Sequence, residues 1–272
     1  MSPPSDPDPD PDPDGRPRLA SSFGAVATAY AQHRPGYAPA AVRWTLERSP
    51  GARVLDLGAG TGALTAVLVA QGNDVVAVEP DPAMRAELVR ALPHVPALEG
   101  HAEAIPLPDA SVDAVLAGHA LHWFDMDVAG PEIARVLVPS GVLAGLWNVL
   151  DDRVDWVAGL ERVAGAAAVG PRDTARGWRA ETVAVHLPRR GTDARFGPAE
   201  QAEFAHGHRR SADSLVASLA TRAGVVVMPE AQRAALLGRI RAYLDTRPET
   251  ASGEFTVPML TGVLRTRRLP GP

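Results

Sequence analysis

The chain has 272 residues, 46% of them apolar, and a formal net charge of −5. This length suits one large α/β domain or two small ones, and no apolar run reaches the roughly 18 residues that a membrane-spanning helix needs. The sequence contains no cysteine. Disulfides, thiolate metal sites and a cysteine nucleophile are therefore excluded, and a cytoplasmic location is the default expectation.

All 27 basic residues are arginines, because the sequence contains no lysine. Schiff-base chemistry and a P-loop lysine are thus excluded. Five of the 32 acidic residues lie within the first 14 positions, so the remaining chain carries 27 acidic and 27 basic side chains. A body without excess positive charge argues against a nucleic-acid partner.

The N-terminal part of the chain changes character near residue 18. Residues 3–15 form a Pro-Asp repeat without apolar content, and residues 1–17 are predicted to be a disordered tail. Residues 18–272 are expected to form one domain. Within it, residues 19–33 carry apolar side chains at helical spacing, and a second helix is expected over 39–48.

Short apolar runs then alternate with helical segments, a pattern typical of βαβ units and a parallel sheet covered on both faces. The predicted strands cover 53–57, 74–79, 95–99, 112–117 and 141–147, and the predicted helices cover 62–70, 81–92 and 127–138. Beyond residue 148 the pattern weakens. There the predicted helices cover 154–168, 211–223 and 229–246, and the predicted strands cover 202–209 and 254–264.

A glycine-rich turn follows the first strand and points to a nucleotide site. Gly58, Gly60 and Ala63 satisfy the dinucleotide fingerprint G-x-G-x-x-G/A. Acidic residues follow the neighbouring strands: Asp56 precedes the turn and Glu79 closes the second strand. A pyrophosphate would meet these like charges in a poorly screened cleft, whereas the cations of S-adenosylmethionine would be attracted. The acidic flanks therefore favour the methyl donor over NAD.

Each residue of this turn has a proposed role and an alternative. Gly58 and Gly60 let the backbone approach the ligand, and the helix that begins at Gly62 offers N–H groups to the methionyl carboxylate. Glu79 is placed to accept hydrogen bonds from both ribose hydroxyls. Alternatively, the glycines only tighten packing, Glu79 is an exposed strand end, and Asp56 holds the loop through backbone N–H groups.

Several ordered segments resemble the class I S-adenosylmethionine-dependent methyltransferases (the methyltransferase type 11 domain), within them the small-molecule group that includes the ubiquinone/menaquinone and trans-aconitate enzymes. "VLDLGAGTG" is similar to the family's first motif, and "VVAVEPDPAMRAEL" is similar to the second, with its ribose-binding acid at Glu79. "GHAEAIPLPDASVDAV" resembles the adenine-binding segment, "ARVLVPSGVLAGL" the stretch before the fifth strand, and "FGAVATAYAQHRPGY" the N-terminal opening. The resemblance covers roughly residues 23–147.

The resemblance implies a fold. It is an α/β, doubly wound, Rossmann-like sheet of seven strands in the order 3-2-1-4-5-7-6, mostly parallel with an antiparallel last strand near 254–266, plus N-terminal lid helices. The cofactor half is expected over about 50–148. Lid and acceptor elements are expected over 18–49 and 149–250.

The expected cofactor is S-adenosyl-L-methionine, with no metal. His101 stands where many relatives have an adenine-binding aspartate; its neutral imidazole could accept the same bond, or it could face solvent. The expected cofactor-binding residues are Arg34, Asp56, Gly58, Ala59, Gly60, Gly62, Glu79, Pro80, His101, Ala102, Glu103 and His119.

Candidate catalytic and acceptor residues cluster in two segments. His119 and His122 follow the fourth strand at i and i+3, and His122 is the candidate general base. The alternative is that His122 and Trp123 pack beneath the lid; a metal pair lacks a third ligand. The resemblance implies that the segment with Tyr30, Arg34 and Tyr37 folds over the cofactor, where Arg34 could pair with the methionyl carboxylate. Alternatively, Arg34 caps a helix and the two tyrosines belong to the core. The expected acceptor-pocket residues are Tyr30, Tyr37, Trp123 and Trp147.

The sequence therefore predicts a methyltransferase acting on a small molecule, on oxygen first and carbon next, with secondary metabolism as one setting. No membrane partner is expected, and the protein is expected to be a monomer or a homodimer. The alternatives are an NAD-dependent oxidoreductase and a non-catalytic protein with the methyltransferase fold.

Overall fold

The computed structural model describes residues 35–170, 173–183 and 196–269. The predicted tail over 1–17 and the predicted helix over 19–33 lie outside the described residues. Tyr30 and Arg34 lie outside them as well.

Seven strands in the described ranges form one sheet. They are β1 (Arg53–Leu57), β2 (Asp74–Val78), β3 (Ala97–Leu98), β4 (Val112–Gly118), β5 (Leu137–Leu150), β6 (Glu200–Ser211) and β7 (Glu254–Arg267). Their order, β3-β2-β1-β4-β5-β7-β6, confirms the predicted topology. Strands β1 to β5 pair in parallel, and β7 runs antiparallel to both of its neighbours.

Helices cover the sheet and extend beyond it. They are α1 (Pro39–Leu46), α2 (Ala63–Ala70), α3 (Pro82–Ala91), α4 (Met126–Val136), α5 (Asp155–Ala168), α6 (Ala175–Val183), α7 (Ala212–Ala220), α8 (Ala223–Val226) and α9 (Glu230–Asp245), with a 3₁₀ turn at Leu121–Trp123. Helix α6 is absent from the sequence prediction. The helix predicted over 211–223 corresponds to α7, and the short helix α8 that follows it was not predicted. Across the described stretches, we find no helix with the length and apolar character that crossing a bilayer requires.

The alternation of side chains along each strand places apolar residues on both faces of the sheet. Leu55 and Val115 belong to the buried cluster on one face, together with residues of α4. Val54 and Leu116 belong to the cluster on the other face, together with residues of α1 and α2. A third buried cluster joins α5, α7 and α9 to the far ends of β5 and β7. This third cluster holds a helical lobe beside the carboxyl ends of the parallel strands.

Strand β5 is longer than predicted at both ends. The sequence Val-Pro-Ser-Gly reads as a turn, but it forms an irregular stretch within the strand, with Ser140 at φ +67°. Opposite this stretch, Val112 pairs with Leu137 and Ala114 already pairs with Val142. The extra residues form a bulge, which keeps the strand in the sheet despite its turn-forming sequence.

The order of the strands determines where a ligand can bind. Strand β1 pairs with β2 on one side and with β4 on the other. The chain therefore reverses its winding direction at β1 and β4, and a crevice opens at the carboxyl ends of these strands.

Candidate functional site

A cavity of about 830 Å³ opens at that crevice. Its volume lies in the upper part of the range of about 300–1,000 Å³ that is usual for small-molecule sites. Residues after β1, β2, β3 and β4 line one end, and residues of α5, α8 and the segments beside them line the other. Of the sequence-predicted site residues, the described lining includes Tyr37, Asp56, Gly58, Ala59, Gly60, Glu79, Pro80, His101, Ala102, Glu103, His119, His122, Trp123 and Trp147.

The glycine turn after β1 is shaped by three residues with positive φ. A Cβ on Gly58, at φ +70°, would lie 2.7 Å from the Cβ of Ala120. A Cβ on Gly60, at φ +56°, would meet no atom of the described structure within 4 Å. Gly58 thus permits close packing, and Gly60 keeps backbone exposed to the cavity.

Gly62 lies at the start of α2, as predicted. It is the left-handed N-cap of α2 at φ +88°, and its backbone N–H donates to the carbonyl of Ala59 at 3.0 Å. A Cβ on Gly62 would face Leu88 at 3.0 Å, and Gly62 is not part of the described lining. Its direct contact with a ligand remains a prediction, while Thr61 and Ala63 on either side do line the cavity.

Glu79 is held firmly at the carboxyl end of β2. Its Oε2 accepts the N–H of Gly60 at 2.7 Å, and its Oε1 accepts the N–H of Asp81 at 2.9 Å. Burial raises the pKa of Glu79, while these two backbone N–H groups lower it. A carboxylate has about four lone-pair positions, so both oxygens can accept further hydrogen bonds from a ligand. The side chain faces the cavity in a fixed orientation.

Asp56 is fully buried beneath the glycine turn. Its Oδ2 accepts the hydroxyl of Thr65 at 2.6 Å, and its Oδ1 has no hydrogen-bond partner in the described structure. Burial raises the pKa of Asp56 to about 7, against the lowering effect of Thr65, and the charge of Glu79 adds to the rise. A buried acceptor without a partner is costly, which points to a cationic or N–H donor at this position.

The segment after β3 forms a side wall of the cavity. His101 is exposed, Ala102 is buried, and Glu103 is partly exposed. One oxygen of Glu103 accepts the N–H of Asp125, the N-cap of α4, at 3.0 Å. Glu103 therefore also joins this loop to the start of α4.

His119 links two strand ends. Its backbone is in the left-handed region at φ +53°, and its Nε2 accepts the backbone N–H of Asn148 at 2.8 Å. This bond assigns the neutral tautomer with the proton on Nδ1. The ring lies 6.3 Å from that of Tyr37. His119 thus joins the end of β4 to β5 and to the segment before α1.

His122 lies in the 3₁₀ turn between two tryptophans. Its ring centroid is 4.9 Å from that of Trp123, and its Nδ1 lies 3.5 Å from Nε1 of Trp147. In that long hydrogen bond the indole N–H is the donor, so the proton of a neutral imidazole belongs on Nε2. In this tautomer the basic lone pair of His122 is on Nδ1, on the side of Trp147, and Nε2 cannot accept a proton.

Asn148 fastens the segment before α1 to the cavity. Its Nδ2 donates to the carbonyls of Pro35 and Gly36 at 3.1 and 3.3 Å. Its Oδ1 accepts the hydroxyl of Thr261 at 2.8 Å, and Thr261 Oγ1 accepts the N–H of Ala38 at 2.9 Å. His206 Nε2 lies 3.2 Å from the same hydroxyl. We name this set of six residues the Asn148–Thr261 clip.

The other end of the cavity contains residues that the sequence analysis missed. Helix α5 breaks at Gly165, where φ is +64° and ψ is 174°. The chain beyond the break contributes small residues, and Asp173 and Arg222 contribute a charged pair. The missed lining residues at this end include Ala166, Ala167, Gly170, Asp173, Arg222 and Gly224.

No local signal marks the charged pair in the sequence, since Asp173 and Arg222 are 49 positions apart. Arg222 Nη1 donates to Asp173 Oδ1 at 2.8 Å, and the N–H of Gly170 donates to Asp173 Oδ2 at 2.9 Å. Only the folded structure shows that these two residues are in contact.

Comparison with protein families places the chain among methyltransferases. Residues 55–145 match the family model of the methyltransferase domain. An uncharacterized methyltransferase from Mycobacterium tuberculosis is 40% identical over 248 residues, which is 91% of this chain and 96% of that protein. Similarity at this level extends through the helical lobe as well as the cofactor half.

Two further proteins are informative. A malonyl-[acyl-carrier protein] O-methyltransferase from Methylococcus capsulatus is 40% identical over 103 residues, 35% of this chain and 37% of that protein. Among solved structures, a protein described as a type II methyltransferase from Anaeromyxobacter dehalogenans is 27% identical, with a TM-score of 0.59 over 87% of this chain and 99% of that chain.

Proposed function

This chain belongs to the S-adenosylmethionine-dependent methyltransferases, and from that membership we propose that it methylates a small-molecule acceptor, on an oxygen in preference to a carbon. The observation that carries the proposal is the shape of the cavity. Its lining combines the glycine turn, Asp56 and Glu79 with aromatic rings and residues of the helical lobe.

The glycine turn, Asp56 and Glu79 fit S-adenosylmethionine. The orphaned Oδ1 of Asp56 can accept an N–H of the methionyl ammonium, directly or through water. Glu79 can accept hydrogen bonds from the ribose hydroxyls, because its carboxylate is already oriented by Gly60 and Asp81. The open space beside Gly60 leaves room for the ligand against the backbone.

The protein's own task is alignment. S-adenosylmethionine supplies an activated methyl group on its sulfonium, so the barrier falls mainly through orientation and exclusion of water. Trp147 is 2% exposed and forms a rigid wall of the cavity. The Asn148–Thr261 clip holds Pro35 and Gly36 close to that wall. These groups confine the acceptor beside the part of the cavity that holds the glycine turn, Asp56 and Glu79, which we call the donor end.

The need for a base depends on the acceptor. A carboxylate is already deprotonated, whereas a hydroxyl must lose a proton during the transfer. His122 is our candidate base for a hydroxyl, but its contact with Trp147 favours the tautomer that carries the proton on Nε2. An acceptor oxygen that is anionic beforehand therefore suits this site best.

Two comparisons bear on the alternatives. Membership of the methyltransferase family replaces the interpretation as an NAD-dependent oxidoreductase. The similarity to an enzyme named as an O-methyltransferase supports an oxygen acceptor, although it covers only 35% of this chain. The non-catalytic alternative is separated from an enzyme by experiment.

The test has two steps. Calorimetric titration with S-adenosylhomocysteine measures cofactor binding, with NAD as the matched control ligand. Incubation with S-adenosylmethionine carrying a labelled methyl group and a mixed small-molecule extract then measures transfer. We expect the protein to bind S-adenosylhomocysteine and not NAD. We expect the labelled methyl group to appear on an oxygen of a small molecule. Binding without any transfer would support the non-catalytic alternative, and label on carbon would overturn the preference for oxygen.

A further inference from the structure

We propose that Glu132 and Arg135 of α4 are positioning residues for the adenine of S-adenosylmethionine, although neither belongs to the described lining of the cavity. They act through the side wall that carries His101, Ala102 and Glu103. The inference rests on the proposed function, because it takes the adenine to lie against that wall, as the sequence analysis expects.

The segment that forms this wall connects β3 to β4. Strand β3 ends at Leu98 and β4 begins at Val112, and the fully described stretch over 99–111 contains neither a helix nor a strand. Its backbone pairing includes an isolated bridge between His101 and Ala104. A connection of this length keeps one conformation through its contacts with the rest of the fold, because ordering each residue costs conformational entropy.

Ile105 is the central point of contact between this segment and α4. It is 4% exposed and belongs to the same buried cluster as Ala102 and Ile133 of α4. Its N–H donates to Glu132 Oε2 at 3.0 Å, and its carbonyl accepts from Arg135 Nη2 at 2.9 Å. A buried backbone outside any strand needs such partners. Both polar backbone groups of a residue three positions after Ala102 therefore depend on two side chains of α4.

Arg135 extends the contact along the segment. Its Nη1 donates to the carbonyl of Leu107 at 2.8 Å and to Asp109 Oδ1 at 2.9 Å. Its Nε and Nη2 donate to the carboxylate of Glu132 at 2.8 and 2.9 Å. With the bond to Ile105, these are five hydrogen bonds, as many as the guanidinium has N–H groups. The Arg135 guanidinium also lowers the pKa of Glu132. We call Glu132 and Arg135 the α4 clamp.

The clamp acts at the opposite end of α4 from the contact of Glu103 with the N-cap residue Asp125. The side wall is thus attached to the helix at both ends. Helix α4 begins just after Trp123 and Phe124, which line the cavity. Without the clamp, the wall would hold its binding conformation for a smaller fraction of the time, and the apparent affinity for the adenine would fall with that fraction.

The experiment separates the affinity for the adenine from the affinity for the rest of the cofactor. The probes are S-adenosylhomocysteine and S-ribosylhomocysteine, which carries a hydroxyl in place of the adenine. Calorimetry measures the affinity for the first probe, and competition against it measures the affinity for the second. The variants are Arg135→Ala, Arg135→Lys and Glu132→Gln. The control is Arg90→Ala, because Arg90 bonds to Glu87 at 3.1 Å in the same i,i+3 arrangement on α3 and is not part of the described cavity lining.

We expect the wild type and Arg90→Ala to bind S-adenosylhomocysteine more tightly than S-ribosylhomocysteine. Arg135→Ala should lower the affinity for S-adenosylhomocysteine roughly 5- to 50-fold and leave the affinity for S-ribosylhomocysteine nearly unchanged. Arg135→Lys should lose part of the adenine preference, because it keeps the charge without the planar fork. Glu132→Gln should also lose part of it, since one oxygen that accepts from Arg135 becomes an amide nitrogen. Hydrogen exchange at the Ile105 amide should be faster in all three variants.

Two outcomes in the variants would overturn the inference: an equal loss of affinity for both probes, which a general effect on the fold would cause, or an adenine preference that survives in Arg135→Ala. If Arg135→Ala does not fold, Arg135→Lys and Glu132→Gln decide by the same criteria.

The wild type separates this inference from the proposals on which it rests. A wild type that fails to bind S-adenosylhomocysteine contradicts the proposed function. A wild type that binds both probes equally contradicts the placement of the adenine, and the role of the clamp with it. An adenine preference that the wild type and all clamp variants share contradicts the role of the clamp alone.

Discussion

Glu79 has a structural role, and the binding role that we propose for it uses the same carboxylate. Its oxygens organise the turns at Gly60 and Asp81, and the same oxygens face the cavity. Family membership supports the ribose contact that the sequence predicts, while the bonds to the backbone explain why the side chain is fixed.

Removing this carboxylate should weaken cofactor binding. We expect Glu79→Ala to lower the affinity for S-adenosylhomocysteine by about 1.5–3 kcal/mol, because charge-assisted hydrogen bonds are lost. Glu99→Ala is the matched control, since it removes an equal charge from a side chain that is 75% exposed. Calorimetry checks both variants. Equal affinity of the Glu79 variant and the wild type would place the ribose elsewhere.

Asp56 should make stability depend on pH. Its pKa is raised to about 7 in the folded protein, above the unfolded value of about 3.9. The folded state therefore holds the proton more tightly, and this stabilisation is present below about pH 4 and is lost as the pH rises through about 7. We expect Asp56→Asn, which cannot ionise, to gain unfolding free energy relative to the wild type between about pH 5 and about pH 8. Urea unfolding at both pH values measures the difference in unfolding free energy between the variant and the wild type. A difference that does not change with pH would contradict the raised pKa of Asp56.

Ionisation of Asp56 should increase the affinity for the ligand, whereas it decreases the stability of the fold. Ionised Asp56 is the better acceptor for a cationic ammonium, so the affinity of the wild type for S-adenosylhomocysteine should increase as the pH rises through about 7. The Asp56→Asn variant should lack this increase. A parallel increase in both proteins would assign the pH dependence to another group.

At the scale of elements, the segment before α1 depends on the Asn148–Thr261 clip. Thr261 is fully buried and serves both Asn148 and Ala38. The clip joins this segment to β5 and β7, which are distant in the sequence.

Thr261→Val should loosen the clip without changing the size of the side chain. It leaves the N–H of Ala38 and the Oδ1 of Asn148 without their partner, and we expect a loss of about 1–3 kcal/mol in unfolding free energy. Faster hydrogen exchange at the Ala38 amide should accompany the loss. Thr256→Val on the exposed face of the same strand is the control. Similar behaviour of the two variants would show that the clip contributes nothing.

Helices and strands were predictable from the sequence where their apolar pattern agrees with their burial in the fold. The bounds of β1 match the prediction, because its apolar run is buried on both faces. Helix α6 was missed, since its sequence is polar apart from a few positions. It docks through Trp178, whose ring packs against Gly262 of β7 and lies 6.4 Å from the ring of Trp147. Only tertiary packing shows that this segment is a helix.

At the scale of the whole molecule, the cavity lies between two separately packed parts. The donor end belongs to the sheet, and the opposite end belongs to the helical lobe with its own buried cluster. The motifs after β1, β2 and β4 made the donor end predictable from sequence. The opposite end was not predictable, because Asp173, Arg222 and Gly224 meet only through the packing of α5 against α8.

A change in the packing of the helical lobe should affect the end of the cavity beside the lobe and leave the donor end unchanged. A Cβ on Gly224 would lie 2.7 Å from the carbonyl oxygen of Ala167, whereas a Cβ on Gly238 in α9 would meet no described atom within 4 Å. We expect Gly224→Ala to cost about 1–3 kcal/mol in stability by overpacking and to reduce methyl transfer. Affinity for S-adenosylhomocysteine should be unchanged.

Gly238→Ala is the control, and we expect it to stabilise α9 by up to about 1 kcal/mol. Thermal unfolding, calorimetry and incorporation of labelled methyl groups measure the three quantities. If Gly224→Ala weakened cofactor binding as much as it reduced transfer, the two ends of the cavity would not be independent.

The position of β7 has a consequence for biosynthesis. The strand lies between β5 and β6, yet it follows both of them in the chain. While the ribosome is still translating residues 212–253, β6 has been made but its partner in the sheet has not. The edge of β5 that β7 will occupy is also unpaired at that stage, so two strand edges are exposed to aggregation until the last strand emerges. The nascent chain therefore completes its sheet in one late step, by inserting a strand into the gap between two others.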